Sequence, residues 1–194
     1  MDVVRRMLEA GVKLVQYREK AFPMARMYEE CRAIRKLCAE YRACFIVNNA
    51  VELALAVEAD GVHVGQDDMP ADLTRRLVGS DMLVGVSCRD VLEARQALAA
   101  GADYLGVGAI FATPTKADIG EATGVEVIAA IRREVGLPIV AIGGINATNA
   151  ARVIAAGADG IAVVSAVYGQ PDPRAACQML KTIVRGGSAM PRDR

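Results

Sequence analysis

Tryptophan is absent from this chain, the other aromatics are limited to five tyrosines and three phenylalanines, and the single histidine is His63. So few rings leave little with which to stack bases, and a formal net charge of zero offers no basic face for a phosphate backbone. Nucleic acid is therefore excluded as a partner. Cys31, Cys38, Cys44, Cys88 and Cys177 contain no C-x-x-C pair and leave one cysteine unmatched, so neither a zinc framework nor a disulfide lattice is indicated. Reduced, mostly buried thiols are expected instead. The stretch from Met1 to Ala10 alternates charge with apolar residues at helical spacing and has no continuous apolar core. No later stretch reaches membrane-spanning length without a charge. The expectation is a cytoplasmic protein with no membrane partner.

What the chain does have is apolar content, 53% over 194 residues, ample for one core. Residues 1–185 read as a single domain. Residues 186–194, small, polar and broken by Pro191, read as a disordered tail. A recurring phrase organises the domain: Glu9-Ala10-Gly11-Val12-Lys13, Glu58-Ala59-Asp60-Gly61, Ala100-Gly101-Ala102-Asp103 and Ala156-Gly157-Ala158-Asp159 each close an amphipathic stretch and precede an apolar run. Glycine near a helix end and a polar step into a strand make an αβ turn.

Seven strands follow from the runs Leu14–Arg18, Cys44–Asn49, Gly61–Gly65, Leu83–Cys88, Tyr104–Phe111, Pro138–Gly144 and Gly160–Ala166. They are β-branched and apolar on both faces, as strands of a helix-covered parallel sheet are. Helical spacing lies between them, in Met27, Cys31, Ile34, Cys38 and Tyr41, in Val91, Ala94 and Leu98, and in Val127, Ile128 and Ile131. Repeated βα units give an open doubly wound sheet or a closed barrel. Chemistry recurs at nearly every strand end, which favours the α/β TIM-type (β/α)8 barrel. Such a barrel has eight strands; here the chain opens on a helix, and the first strand is missing from the reading.

The strand ends carry the candidate chemistry. Alternation turns Gln16, Arg18 and Lys20 to one side, three donors suited to a diphosphate, although a charged solvated loop has the same composition. Asn48-Asn49 and Gln66-Asp67-Asp68 end two further strands. A carboxylate there can hold magnesium, or Asp67 and Asp68 can cap the following helix. His63 lies within a strand and reads as a hydrogen-bonded barrel-wall residue rather than a catalytic one. Ser87 ends its strand as a possible donor to a bound ring. Thr113-Pro114-Thr115-Lys116 gathers two hydroxyls and an ammonium in one short loop, while Gly144, Val164 and Ser165 offer backbone amides where barrels commonly cradle phosphate. The paired glycines would equally serve tight packing.

Together these segments resemble the thiamine phosphate synthase family from about Asp2 to Gly169, through Val15–Lys20, Phe45–Asn49, Asp60–Asp68, Gly85–Ser87, Thr113–Lys116, Ala141–Ile145 and Val163–Ala166. The resemblance implies a (β/α)8 barrel transferase that joins 4-amino-2-methyl-5-hydroxymethylpyrimidine diphosphate to 4-methyl-5-(2-hydroxyethyl)thiazole phosphate, releasing thiamine phosphate and diphosphate through a pyrimidine carbocation. Carried onto this chain, it makes Lys116, Arg18 and Ser87 the catalytic candidates. Gln16 and Ser87 contact the pyrimidine or its diphosphate; Arg18, Lys20, Asn48 and Lys116 hold the diphosphate. Thr113, Thr115, Gly144, Val164 and Ser165 seat the thiazole phosphate, and Asp68 and Asn49 ligate Mg2+. A homo-oligomer is compatible with this reading.

The chain departs from the family pattern in two places. Asn49 stands where an aspartate is usual, and the first strand is missing. A catalytically degenerate binder of a thiamine precursor is the alternative these departures motivate. A thiazole tautomerase would need a histidine where Arg89 stands, and another phosphate-binding barrel enzyme would leave Gln16 to Lys20 without a role.

Overall fold

A computed structural model of the chain describes residues 1–113 and 122–187. The elements alternate throughout: α1 (Asp2–Glu9), β1 (Leu14–Tyr17), α2 (Met24–Glu40), β2 (Cys44–Asn48), α3 (Val51–Ala56), β3 (Gly61–Val64), α4 (Ala71–Val78), β4 (Leu83–Cys88), α5 (Val91–Ala99), β5 (Tyr104–Val107), α6 (Glu126–Glu134), β6 (Ile139–Ile142), α7 (Ala150–Ala155), β7 (Gly160–Ala162) and α8 (Pro173–Gly187). The seven strands are all parallel and pair in chain order, curling into the TIM-like α/β arrangement expected from the sequence. Among the described residues no ladder joins β7 to β1. Helices α1 and α8 pack together, with Lys181 Nζ donating to the Ala10 carbonyl at 3.1 Å.

Strand alternation divides the sheet into two chemically different faces. Phe45, Val47, Val62, Val64, Val84, Val86, Leu105, Val107, Ile139 and Ala141 are buried in the core with Ile128 and Ile131 of α6 and Leu53 of α3. Phe45, Leu105, Ile128, Ile131 and Ile139 are 0% exposed. Burying a side chain of that size contributes about 1.5–3 kcal/mol. The other face mixes polar residues and glycines with a few apolar ones such as Ile46: Asn48, His63, Gly85 and Tyr104 are register partners across β2–β5, as are Ser87, Gly106, Val140 and Gly160 across β4–β7.

The expected αβ turns are held by a repeated clamp at the N-terminal end of the sheet. The Asp60 N–H donates to the Phe45 carbonyl at 2.9 Å, and its carboxylate accepts from the Phe45 N–H at 2.7 Å. Asp103 does the same with Val84 (2.8 and 2.7 Å), and Asp159 with Ile139 (2.9 and 2.8 Å). Behind each aspartate stands an arginine from an earlier helix. Arg35 of α2 pairs with Asp60 at 3.5 Å and donates to Glu58 O; Arg75 of α4 pairs with Asp103 and donates to Gly101 O and Met82 O; Arg132 of α6 pairs with Asp159 and donates to Gly157 O and Leu137 O. Turn carbonyls that a helix end leaves unpaired thus find charged donors.

Several boundaries differ from the sequence reading. Pairing of β5 stops at Val107 rather than Phe111, and that of β7 at Ala162 rather than Ala166. Strand β6 ends at Ile142, and the following Gly143 has φ of +100°; the Ile110 and Phe111 N–H groups donate to the Ile142 and Gly143 carbonyls beyond the β5 ladder. In α5, Ala97 rather than Leu98 faces the core, and Leu98 is exposed. Helix α8 runs through Gly186 and Gly187, two residues into the segment read as a tail; residues 188–194 lie outside the described residues. Cys31, Cys38, Cys88 and Cys177 are buried, Cys44 is half-buried, and all five are free thiols, as expected.

Candidate active site

Among the described residues, the sequence candidates lie at or just beyond the ends of the strands. On β1, Tyr17 turns outward and donates to Glu30 Oε2 of α2 at 2.8 Å, while Gln16 turns to the inner face that also carries Tyr104. The strand stops at Tyr17, so Arg18 and Lys20 belong to the following loop and are exposed there. That loop is shaped by Glu19, whose carboxylate accepts from the N–H groups of Lys20 and Ala21 at 2.7 Å each. Its far end is held by Arg26, which lies 3.4 Å over the Phe22 ring and donates to Glu30 Oε1 at 3.0 Å. Donation from Tyr17 and Arg26 pulls the Glu30 carboxyl below its ordinary range, whereas burial, then Glu30, pushes the Tyr17 phenol upward.

Asn48, Asn49 and Asp68 form one linked group. Asn48 Nδ2 donates to Asn49 Oδ1, Asn49 Nδ2 donates to Asp68 Oδ1 at 2.7 Å, and Asp68 Oδ2 accepts from the Gly65 N–H at 2.7 Å. Asn49 adopts φ of +64°, and its N–H donates to the His63 carbonyl at 2.8 Å. Asparagine tolerates the left-handed region better than most residues, and here that turn brings its amide against the carboxylate. Asp68 therefore closes its own loop and does not cap a helix. The N-cap of α4 is Pro70, with no side-chain cap bond.

On β3 and β4, His63 Nε2 lies 2.9 Å from Ser87 Oγ and Nδ1 lies 3.0 Å from the Tyr104 hydroxyl. His63 is thus the hydrogen-bonded wall residue expected. The Ser87 carbonyl accepts from Gln66 Nε2 at 2.6 Å. Sequence reading missed Tyr104, which carries no motif. The available signal was that β4 and β5 place glycines, Gly85 and Gly106, among otherwise bulky residues.

Beyond β6, Gly143 and Gly144 lie against the segment after β5. A Cβ on Gly143 would sit 2.6 Å from Ala109 Cα, and one on Gly144 would sit 2.7 Å from the Ala112 carbonyl, with φ of +64°. The glycine pair therefore serves close packing of two loops, whatever else its amides do. Asn149 Nδ2 adds a bond to Gly144 O at 3.0 Å. Val164 and Ser165 follow β7, the neighbour of β6, and are exposed. Thr113 is half-buried at the edge of the described residues; Thr115 and Lys116 lie outside them.

Comparison with known proteins bears on this arrangement directly. The sequence profile of the family described as Thiamine monophosphate synthase matches residues 1–167. The chain belongs to that family. It is 52% identical to the thiamine-phosphate synthase of Moorella thermoacetica over 95% of this chain and 88% of that protein. It is 53% identical to the one from Chloroflexus aurantiacus over 94% of this chain and 84% of that protein. The solved thiamine phosphate pyrophosphorylase from Pyrococcus furiosus superposes with a TM-score of 0.89 at 41% identity, covering 96% of this chain and 89% of that one. The protein is accordingly an enzyme of the thiamine-phosphate synthase kind, a transferase of thiamine biosynthesis. Within this family member, Arg89 pairs with Glu93 at 3.1 Å on α5, and its N–H also donates to that carboxylate.

Proposed function

We propose that the end of the sheet carrying Gln16, Asn48, Asp68 and Ser87 joins 4-amino-2-methyl-5-hydroxymethylpyrimidine diphosphate to 4-methyl-5-(2-hydroxyethyl)thiazole phosphate. The supporting observation is the hydrogen-bonded continuity of Tyr104, His63 and Ser87 across β5, β3 and β4, beside the Asn48–Asn49–Asp68 group. Gln16 and Ser87 contact the pyrimidine or its leaving diphosphate. Arg18 grips the diphosphate with its planar fork; Lys20 and Lys116 act as point charges, and Asn48 donates to the same group. Thr113, Thr115 and the amides around Gly144, Val164 and Ser165 seat the thiazole phosphate.

The reaction needs no protein nucleophile. The pyrimidine carbon–oxygen bond breaks, its electron pair leaves with diphosphate, and the thiazole nitrogen captures the carbocation. The enzyme must neutralise the leaving charge, exclude water and align two rings.

Mg2+ is the ion this chemistry implies. Asp68 offers the carboxylate such an ion takes, with water and phosphate oxygens completing its shell; Asn49, whose Nδ2 donates to Asp68 at 2.7 Å and whose Oδ1 accepts from Asn48, would join it by turning its amide oxygen toward the ion. Among the described residues no cluster of three or more His, Cys, Asp or Glu is assembled, in keeping with an ion held largely by substrate. When bound, the ion supplies charge neutralisation to the diphosphate.

The test is a magnesium-dependent assay of purified protein with both substrates, scored by chromatographic detection of thiamine phosphate. Product supports the synthase reading. Magnesium-dependent binding of the pyrimidine diphosphate without product overturns it in favour of a binder.

A further inference from the structure

His63 and Tyr104 are 7% and 8% exposed and fill the inner side of the sheet, their ring centroids 5.5 Å apart and tilted by 41°. The neighbouring strands make room for them. A Cβ on Gly85 would sit 2.5 Å from His63 Nδ1 and also collide with the Tyr104 ring, and one on Gly106 would sit 2.7 Å from His63 Cε1. Glycine weakens a strand interior, so two glycines around one ring pair mark a site built to hold it. Both imidazole nitrogens are engaged, Nδ1 with the Tyr104 hydroxyl and Nε2 with Ser87 Oγ.

Two proton arrangements satisfy these contacts. Either tyrosine donates to Nδ1 and Nε2–H donates to serine, or the whole sequence runs in reverse. Phenol is a stronger acid, and so a stronger donor, than an aliphatic hydroxyl, which favours the first. Burial pushes the Tyr104 phenol upward, so it stays protonated. A phenol that stays protonated keeps its proton available for Nδ1. Ser87 Oγ then accepts from histidine, and its own proton is turned outward.

We propose that His63 is a positioning residue: held as the Nε2–H tautomer by Tyr104, it fixes the Ser87 hydroxyl as a donor aimed at the substrate. This rests on the reading of Ser87 as a substrate contact, and it gives that contact a sign. A serine held as a donor suits an acceptor, a ring nitrogen or the bridging oxygen of the diphosphate. A donor to that oxygen gains strength as the carbon–oxygen bond breaks and charge accumulates there. No proton is transferred along the chain of bonds; the relay only orients it.

Because His63 is the only histidine, 15N labelling yields one imidazole, whose two-bond proton–nitrogen correlations report its tautomer without assignment. The wild-type protein is expected to show Nε2–H, and Tyr104→Phe a mixture of tautomers. In steady-state kinetics, Ser87→Ala is expected to lower kcat by about tenfold. Tyr104→Phe should lower kcat less and leave KM unchanged, and the double variant should be no slower than Ser87→Ala alone. His63→Gln, which keeps a donor toward Ser87, should retain more activity than His63→Leu. An Nδ1–H tautomer in the wild type, or Tyr104 and Ser87 losses that multiply independently, would overturn the proposal. The tautomer is readable whether or not product forms. Nε2–H without turnover would sink the synthase reading and leave the relay standing, whereas product with Nδ1–H would sink the relay alone.

Discussion

At the N-terminal end of the sheet, Asp60, Asp103 and Asp159 give their carboxylates to a strand N–H and to an arginine, and the arginines give their remaining donors to turn carbonyls. At the C-terminal end, Arg18 and Lys20 are exposed on a loop in which Glu19 accepts from the N–H groups of Lys20 and Ala21, and Val164 and Ser165 stand exposed past β7. Charge at the N-terminal end is bonded into the turns; at the C-terminal end Arg18 and Lys20 reach solvent. The contrast teaches that in a barrel of this kind the same residue types hold the structure or do the chemistry according to which end of a strand they follow.

Substitutions at the two ends should therefore separate stability from turnover. The largest effect is expected for Arg132→Ala, which removes the ion pair with Asp159 and the bonds to Gly157 O and Leu137 O. A loss of about 2–3 kcal/mol, or roughly 5–10 °C in Tm, is expected, with kcat of the folded protein unchanged. Calorimetry beside an assay well below the transition checks this, and a fall in kcat there would break the contrast. Next, Lys116→Ala should lower turnover at least about tenfold, equivalent to roughly 1.4 kcal/mol, without moving Tm. Unchanged kinetics would remove Lys116 from the leaving-group site. A smaller effect is expected for Asn49→Asp. Placing a second carboxylate against Asp68 should lower the magnesium concentration for half-maximal activity and lower Tm when magnesium is chelated. A flat magnesium response would mean that residue 49 does not face the ion.

The smallest effect at working pH concerns the layer between the two ends. Burial pushes the thiols of Cys31 and Cys88 up to about 12 and those of Cys38 and Cys44 to about 11. An unfolded chain releases these protons from about pH 9, whereas the folded chain keeps them until about pH 11, so the unfolded state binds fewer protons in that window. Stability should be unaffected at pH 8 and fall as pH rises from about 9 to 11. Urea midpoints at the two ends of that range test it, and equal midpoints would refute it.

The strand set was legible because helix-facing positions such as Phe45, Val62, Leu105 and Ile139 must be apolar in a parallel sheet, and because the Ala-Gly-Ala-Asp phrase marks its turns. The clamps behind those turns were not legible. Arg75 and Asp103, or Arg132 and Asp159, lie on different elements, and nothing local in the sequence pairs them. Asp68 illustrates the same limit: its bonds to Gly65 N–H and Asn49 join two loops, and a carboxylate before a proline looks the same when it caps a helix. The role of Tyr104 depends on glycines in neighbouring strands, a fact of register rather than of spacing.

Each clamp also spans a fixed stretch of chain: α2 through β3, α4 through β5, and α6 through β7. The connections inside these stretches carry Asn49, Arg89 and Gly144, whereas the connections between them carry Arg18 and Lys20, Asp68, Thr113 to Lys116, and Val164 with Ser165. The charged candidates therefore all sit at seams between independently tied modules. A loop at a seam can be lengthened, exchanged or reopened as new chain termini without severing a clamp, which makes those seams the places where such a scaffold can change its substrate while keeping its frame.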